Sequence, residues 1–377
     1  MSTTEVDWEH GKITAAGIAQ MRAEIGIMHR VPGWNRTVTR DSIEHFALGI
    51  GDDNPLWWDE ARRVDGRFVT PPCYLYSHLR GPRLHGGTIA IERYLPGVMG
   101  VWSAENWRWN RRVLEGETIY GESGLADVIL VPSRFGGQSV TQVERINMIA
   151  DGGEVVASCD HFIRRFERDQ IRSRGSYLER PETRYTAADR ARFLEQYEWE
   201  TTARRGAEPR FVEDVKVGDT VGPLLKGPLT VTGLIGFLMG AGCPLILSNR
   251  IGARYLAERP GSGMVHPETG VPDTIEAPHW DRALARASGM PDGYDWGGTR
   301  VCWLSHAFTD WAGDDGFLQS MDVKLLKPNI LGDVTWIRGA VTAVDADTAT
   351  IELTATNQLD EATAAATGVV RLPRRAE

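Results

Sequence analysis

Residues 39–59 read TRDSIEHFALGIGDDNPLWWD, and the rest of the chain is read outward from this stretch. Thr39 is suited to cap a helix, with Asp41 in its first turn. Ile43, Phe46, Ala47 and Ile50 follow at the spacing of one buried helical face. Gly51 ends the helix. The run Gly51-Asp52-Asp53-Asn54-Pro55-Leu56 then sets a carboxylate and an amide at a helix C-terminus, beside apolar surface. A loop carboxylate next to an apolar cleft is a candidate general base.

The stretch recurs. Thr230–Cys243, TVTGLIGFLMGAGC, overlies Thr39–Asp52 at a shift of 191 residues, with Leu234 on Ile43, Phe237 on Phe46, Gly242 on Gly51 and Cys243 on Asp52. Ser305-His306 overlies Ser77-His78 at a shift of 228, and Gly332-Asp333-Val334 overlies Gly116-Glu117-Thr118 at a shift of 216. The larger shifts predict an insertion in the second copy, at about residues 244–277. Strand-like alternation runs from Val98 to Phe166, with a turn at Glu115-Gly116-Glu117, and each copy ends in an apolar strand. Residues 14–27 predict a short helix, and Phe68–His78 predicts a loop entering a long buried helix. Residues 81–97, rich in Gly and Pro, read as an inserted loop. The expected organisation is an extension (1–30), a first unit (31–166), a charged linker with one helix capped by Thr186 and Asp189 (167–210), and a second unit (211–377). A duplicated helix-plus-antiparallel-sheet unit is an α+β architecture.

Composition narrows the partners. A net charge of -9 argues against nucleic acid or an anionic membrane surface, although a local arginine cluster is enough to hold a phosphate. The N-terminus has neither a basic nor an apolar segment of the kind that directs secretion, and the longest apolar run is too short to span a bilayer. The four cysteines are widely spaced, as in reduced, buried thiols of a cytoplasmic protein. No metal-ligand spacing, P-loop or dinucleotide fingerprint appears, so no cofactor is expected.

Asp52, Asn54, Pro55, Leu56 and Asp59 fall on the hydratase motif Gly-Asp-x-Asn-Pro-hydrophobic-His-x-Asp. The stretch therefore resembles the MaoC-like, hotdog-fold family of (R)-specific enoyl-CoA hydratases and 3-hydroxyacyl dehydratases. Trp57 stands where that family has its histidine. The second copy carries the end of the motif, Pro278-His279-Trp280-Asp281, and Tyr294-Asp-Trp-Gly-Gly298 resembles the glycine turn that opens the family's central helix. The resemblance implies a tandem hotdog, each half a long central helix wrapped by an antiparallel sheet. It also implies hydration of an enoyl thioester, carried by CoA or a carrier protein, in a homodimer or hetero-oligomer of hotdog units.

The acid–base pair is divided between the halves: the first keeps Asp52 without the histidine, and the second keeps His279 with Cys243 in place of the Asp. By pseudo-twofold symmetry the two belong to different clefts. His279 then needs a new carboxylate, with Glu276 and Asp273 nearby in sequence, and Asp52 needs another histidine, such as His78 or His85. Candidate catalytic residues are His279, Asp52, Asn54 and Glu276. Gly297 and Gly298 suit a helix N-terminus that binds the developing enolate, and Trp57, Tyr294 and Asp281 are candidate substrate contacts. Each has a structural reading too: Asp52 and Asn54 as turn residues, Asp281 as a helix N-terminal residue, Cys243 as a small buried side chain, and His78 and His306 as satisfied core histidines. Arg62, Arg63, Arg67, Arg111 and Arg112 are candidates for phosphate contact. A non-catalytic acyl-thioester-binding subunit and a hotdog thioesterase are the alternative functions.

Overall fold

The computed structural model describes residues 11–81, 94–95, 97–132, 138–167 and 180–375. Its seven α-helices in the described residues are α1 (Ala15–Ala23), α2 (Arg40–Ile50), α3 (Ala187–Ala203), α4 (Val231–Ala241), α5 (Asn249–Glu258), α6 (Arg282–Ala287) and α7 (Gly297–Ala312). The strands are β1 (His29–Val31), β2 (Met99–Trp109), β3 (Ile119–Pro132), β4 (Gln138–Ala150), β5 (Val155–Phe166), β6 (Thr220–Lys226), β7 (Gly263–Val265), β8 (Pro272–Thr274), β9 (Phe317–Leu325), β10 (Thr335–Asp345), β11 (Thr348–Asn357) and β12 (Ala362–Arg371).

Ten strands form one antiparallel sheet in the order β1-β3-β4-β5-β2-β9-β12-β11-β10-β6. Each half contributes five strands, and the second five run in mirror order about the β2–β9 seam. The register at the seam shows the twofold relation directly. Asn106 pairs with Asp322, Ala104 with Lys324 and Arg108 with Ser320. The shift of 216 residues carries Asn106 onto Asp322, and it exchanges the two outer pairs, so the axis passes through the Asn106–Asp322 pair.

The helix pair obeys the same operation. A Cβ on Gly49 of α2 would lie 2.5 Å from the Gly236 carbonyl oxygen of α4, and one on Gly240 would lie 2.7 Å from the His45 carbonyl oxygen. The shift of 191 residues exchanges these two contacts, as an isologous interface requires. Glycine at 49 and 240 is what allows the helix backbones to touch.

Local chemistry explains the helices. Thr39 and Ser42 form a reciprocal capping box at the start of α2, and Gly51 ends it in the left-handed region at φ 62°. Thr230 caps α4 by accepting from the Gly233 N–H, without the reciprocal bond because Gly233 has no side chain. Helix α7 is buried along nearly its whole length, as the central helix of its half. The first half differs from expectation here. Pro72–His78 is a seven-residue 3-10 helix, not a long α-helix. It ends at its C-cap Leu79, and Gly81, two residues on, packs so closely on Gly33 that a Cβ would overlap the Gly33 carbonyl oxygen. Helix α1 also ends before its predicted limit, with Gly26 at φ 85°. The expected insertion holds α5 and the two-stranded β7–β8 hairpin. No helix of the described residues is long and apolar enough to cross a membrane.

Candidate functional sites

The second-half candidate site is built around His279, at the end of a short 3-10 turn entered by Pro278. The His279 backbone carbonyl accepts from the Tyr294 N–H (3.1 Å), and its ring Nδ1 lies 2.8 Å from the Tyr294 carbonyl oxygen. A carbonyl can only accept, so Nδ1 carries the proton and Nε2 carries the lone pair. Gly293 permits this approach, since a Cβ there would meet the His279 carbonyl oxygen at 2.6 Å. The ring stacks on Trp296 with centroids 4.3 Å apart.

Glu276 supplies the carboxylate. Its Oε2 lies 3.5 Å from His279 Nε2 and accepts from Trp296 Nε1 at 2.6 Å. Burial holds the imidazole below its ordinary pKa, although Glu276 and the Tyr294 carbonyl pull the other way. Trp296 is the N-cap of α7, so Gly297 and Gly298 present the first N–H groups of that helix beside the pair. Trp102 of β2 stands over both glycines: a Cβ on either would meet its indole at 2.8 Å. The turn is anchored by Asp295, a residue the sequence did not flag. Asp295 accepts from the Asn329 backbone and side chain and lies 3.1 Å from Arg300 Nε. Burial pushes its carboxyl up to about 6.

Of the other second-half candidates, Asp281 caps α6 by accepting from the Leu284 N–H, so its carboxylate serves the helix. Asp273 bonds the adjacent Thr274 N–H in β8. Cys243 is fully buried, and burial raises its thiol pKa.

The first-half cleft holds Asp52, and His279 is not among its neighbours. Asp52 Oδ1 accepts from the Asn54 N–H (3.1 Å), and Asn54 Oδ1 accepts from the Leu56 N–H (3.1 Å). Both are turn bonds. The Asn54 Nδ2 and Trp57 Nε1 atoms are nonetheless buried without a partner. The histidine beside Asp52 is His306 of α7, with Nε2 3.3 Å from Asp52 Oδ1 and 3.1 Å from Asp310 Oδ2. It is buried, as expected of a histidine in an apolar helix, and its partners are charged groups. Its Nε2 is buried between the two carboxylates.

On the other side of the ring, Lys226 Nζ of β6 lies 2.6 Å from Nδ1 and donates to the Gly51 carbonyl (2.7 Å), capping the C-terminus of α2. Arg204 binds Asp310 (2.8 Å) and Asp53. Burial lowers the Lys226 pKa, while Asp52 and Asp310 oppose the shift. Asp310 is held below its ordinary pKa, because His306, Arg204 and Lys226 outweigh its burial. The Asp52, His306 and Asp310 ligand atoms lie within 4.8 Å of one another, a spacing a cation could bridge. Lys226 and Arg204 already neutralise the two carboxylates, so the chemistry of the set favours proton handling over metal binding.

His78, the alternative partner for Asp52, instead faces the Ile119 carbonyl (3.1 Å), and burial pushes its pKa down to about 4. His85 lies outside the described residues. Near the first cleft a narrow slot of about 40 Å³ is walled by Leu56, Trp57, Pro72, Trp109 and Thr309. It adjoins a cleft of about 660 Å³ lined by Arg111, Arg112, Arg371 and Arg374. Two of the five candidate phosphate contacts, Arg111 and Arg112, thus reach a cleft. Arg62 is paired with Asp314, and Arg63 lies over the Phe68 ring.

Residues 25–158 match the family described as FAS1-like, dehydratase domain region. A solved structure described as a MaoC-like dehydratase superposes with a TM-score of 0.65 at 18% identity, over 94% of this chain and 100% of that one. The MaoC-like dehydratase of Phytophthora capsici gives 0.53 at 11% identity, over 95% and 99%. A conserved hypothetical protein of Mycobacterium tuberculosis with a double hotdog fold gives 0.52 at 12% identity, over 92% and 96%. No curated protein matches the chain.

Proposed function

We propose that this chain, a double hotdog of the MaoC-like dehydratase family, interconverts an enoyl thioester and a 3-hydroxyacyl thioester at the His279–Glu276 pair. The observation that carries the reading is the 3.5 Å approach of Glu276 Oε2 to His279 Nε2, with the histidine tautomer set by the Tyr294 carbonyl. Hydration needs a base for the attacking water, an acid for the α-carbon, and donors for the enolate oxygen. Neutral His279 Nε2 takes the water proton as the water oxygen bonds the β-carbon, and the imidazolium so formed, beside the Glu276 carboxylate, delivers that proton to the α-carbon. The α7 N-terminus at Gly297 and Gly298 offers donors for the enolate oxygen, and Trp102, which fills the space a side chain there would take, has to move aside for a thioester to reach the N–H groups. Trp102 and Tyr294 then form the walls. CoA is the proposed carrier.

Incubation with a panel of enoyl-CoAs, followed at the enoyl-thioester absorbance, tests the reading. Loss of absorbance with the thioester intact is the expected result. Release of free thiol would make the chain a thioesterase, and binding without turnover would make it a carrier or partner subunit.

A further inference from the structure

We propose that the first cleft is a second acid–base centre, in which His306, carried in from the second half, replaces the histidine that position 57 lacks. It rests on the reading that the chain acts on acyl thioesters. The geometry is complete without His279. Lys226 Nζ donates to the carbonyls of Gly51 (2.7 Å) and Ile50 (3.3 Å), and its third N–H points at His306 Nδ1 (2.6 Å). Nδ1 therefore accepts, and the ring proton sits on Nε2, between Asp310 Oδ2 at 3.1 Å and Asp52 Oδ1 at 3.3 Å. The charged groups around this ring are Lys226 from β6, Asp52 and Asp53 from the loop after α2, Asp310 from α7, and Glu200 and Arg204 at the end of α3.

Two buried polar atoms have no partner here, Asn54 Nδ2 and Trp57 Nε1, while His306 Nε2 lies between the Asp310 and Asp52 carboxylates. Buried orphan groups on this scale mark a place for water or a ligand. The adjacent slot has room for water but not for an acyl chain while Trp57 stays in place. No hydrogen bond ties the Trp57 indole, so only packing opposes its displacement. The neighbouring cleft of about 660 Å³ also carries Asp315 and Asp347; Arg111 is paired with Glu117 and Glu154, Arg112 with backbone carbonyls and Arg374 with Glu213, so Arg371 is the arginine placed to meet a phosphate-bearing carrier there. The substrate class of this centre is an apolar acyl group on such a carrier.

The proton sequence balances. Water forms a C–O bond at the β-carbon and yields its proton to Asp52. The π electron pair of the double bond becomes a new bond between the α-carbon and the proton delivered by His306 Nε2. Lys226 passes a proton to Nδ1. The Asp52 proton then returns to Nε2, the Nδ1 proton returns to Lys226, and the centre is restored.

The test uses the full chain, labelled with ¹⁵N-histidine, with CoA as the probe, alongside His279→Ala, His279→Ala/His306→Gln, Asp52→Asn and Arg371→Glu. We expect the His306 signals to report a proton on Nε2 and to shift on CoA addition, in wild type and in His279→Ala. Arg371 is exposed at the cleft rim, so Arg371→Glu should leave the core folded and weaken that shift. His279→Ala should retain a residual enoyl-CoA hydration that His306→Gln lowers about tenfold or more. A double variant that stays folded and keeps the residual turnover would overturn the proposal, and so would His306 signals that CoA does not move. If the wild type hydrates no enoyl-CoA, the hydratase reading fails, and the CoA-dependent shift alone decides for or against the centre.

Discussion

At the scale of residues, His279 and Glu276 were legible because they lie three positions apart beside a recognisable motif end. The pairing of Asp52 with His306 was not, because 254 positions separate them and the ring belongs to an otherwise apolar helix face. Trp102 over Gly297 was hidden for the same reason. His279→Ala should lower turnover on the order of 10²- to 10⁴-fold, more than Asp52→Asn does, with the fold intact by circular dichroism. Near-full activity in His279→Ala with none in Asp52→Asn would reverse the assignment of the main cleft. Glu276→Gln should fall in the same direction, since it removes the charge beside Nε2 and keeps the acceptor for Trp296. The base must be neutral to act, and burial depresses its pKa. The acidic limb of the turnover profile should therefore lie below the ordinary histidine value of about 6.5, and activity should fall as pH drops through it.

At the scale of elements, α2 and α4 were readable from their caps and periodicity, and the seam strands from their alternation. The 3-10 form of Pro72–His78 was not, because Pro71-Pro72 is compatible with either helix type. The crossing of α2 and α4 yields a prediction of its own. Gly49→Ala and Gly240→Ala should each push backbone from backbone and destabilise the chain by about 1–3 kcal/mol, read by chemical denaturation. A change within the experimental error at both positions would mean that the helices do not touch as described.

At the scale of the molecule, stability should depend on pH through His78. Its folded pKa is about 4, with the unfolded value near 6.5, so the unfolded chain binds the extra proton between those limits. The contribution is fully present above pH 6.5 and is lost as pH falls towards 4, by up to roughly 3 kcal/mol. The melting temperature should drop over that range in wild type and drop less in a folded His78→Gln variant. A pH-independent melting temperature would show that His78 is not buried as the neutral form.

The seam at Asn106 and Asp322 has one more consequence. In a symmetric pair of identical subunits, every substitution is made twice, and a change near the axis meets its own copy. Here the two sides are one covalent chain, so each side can change alone while the joint cannot be diluted apart. That freedom lets one cleft lose its motif histidine while the other loses its aspartate, since neither loss is imposed on the opposite side.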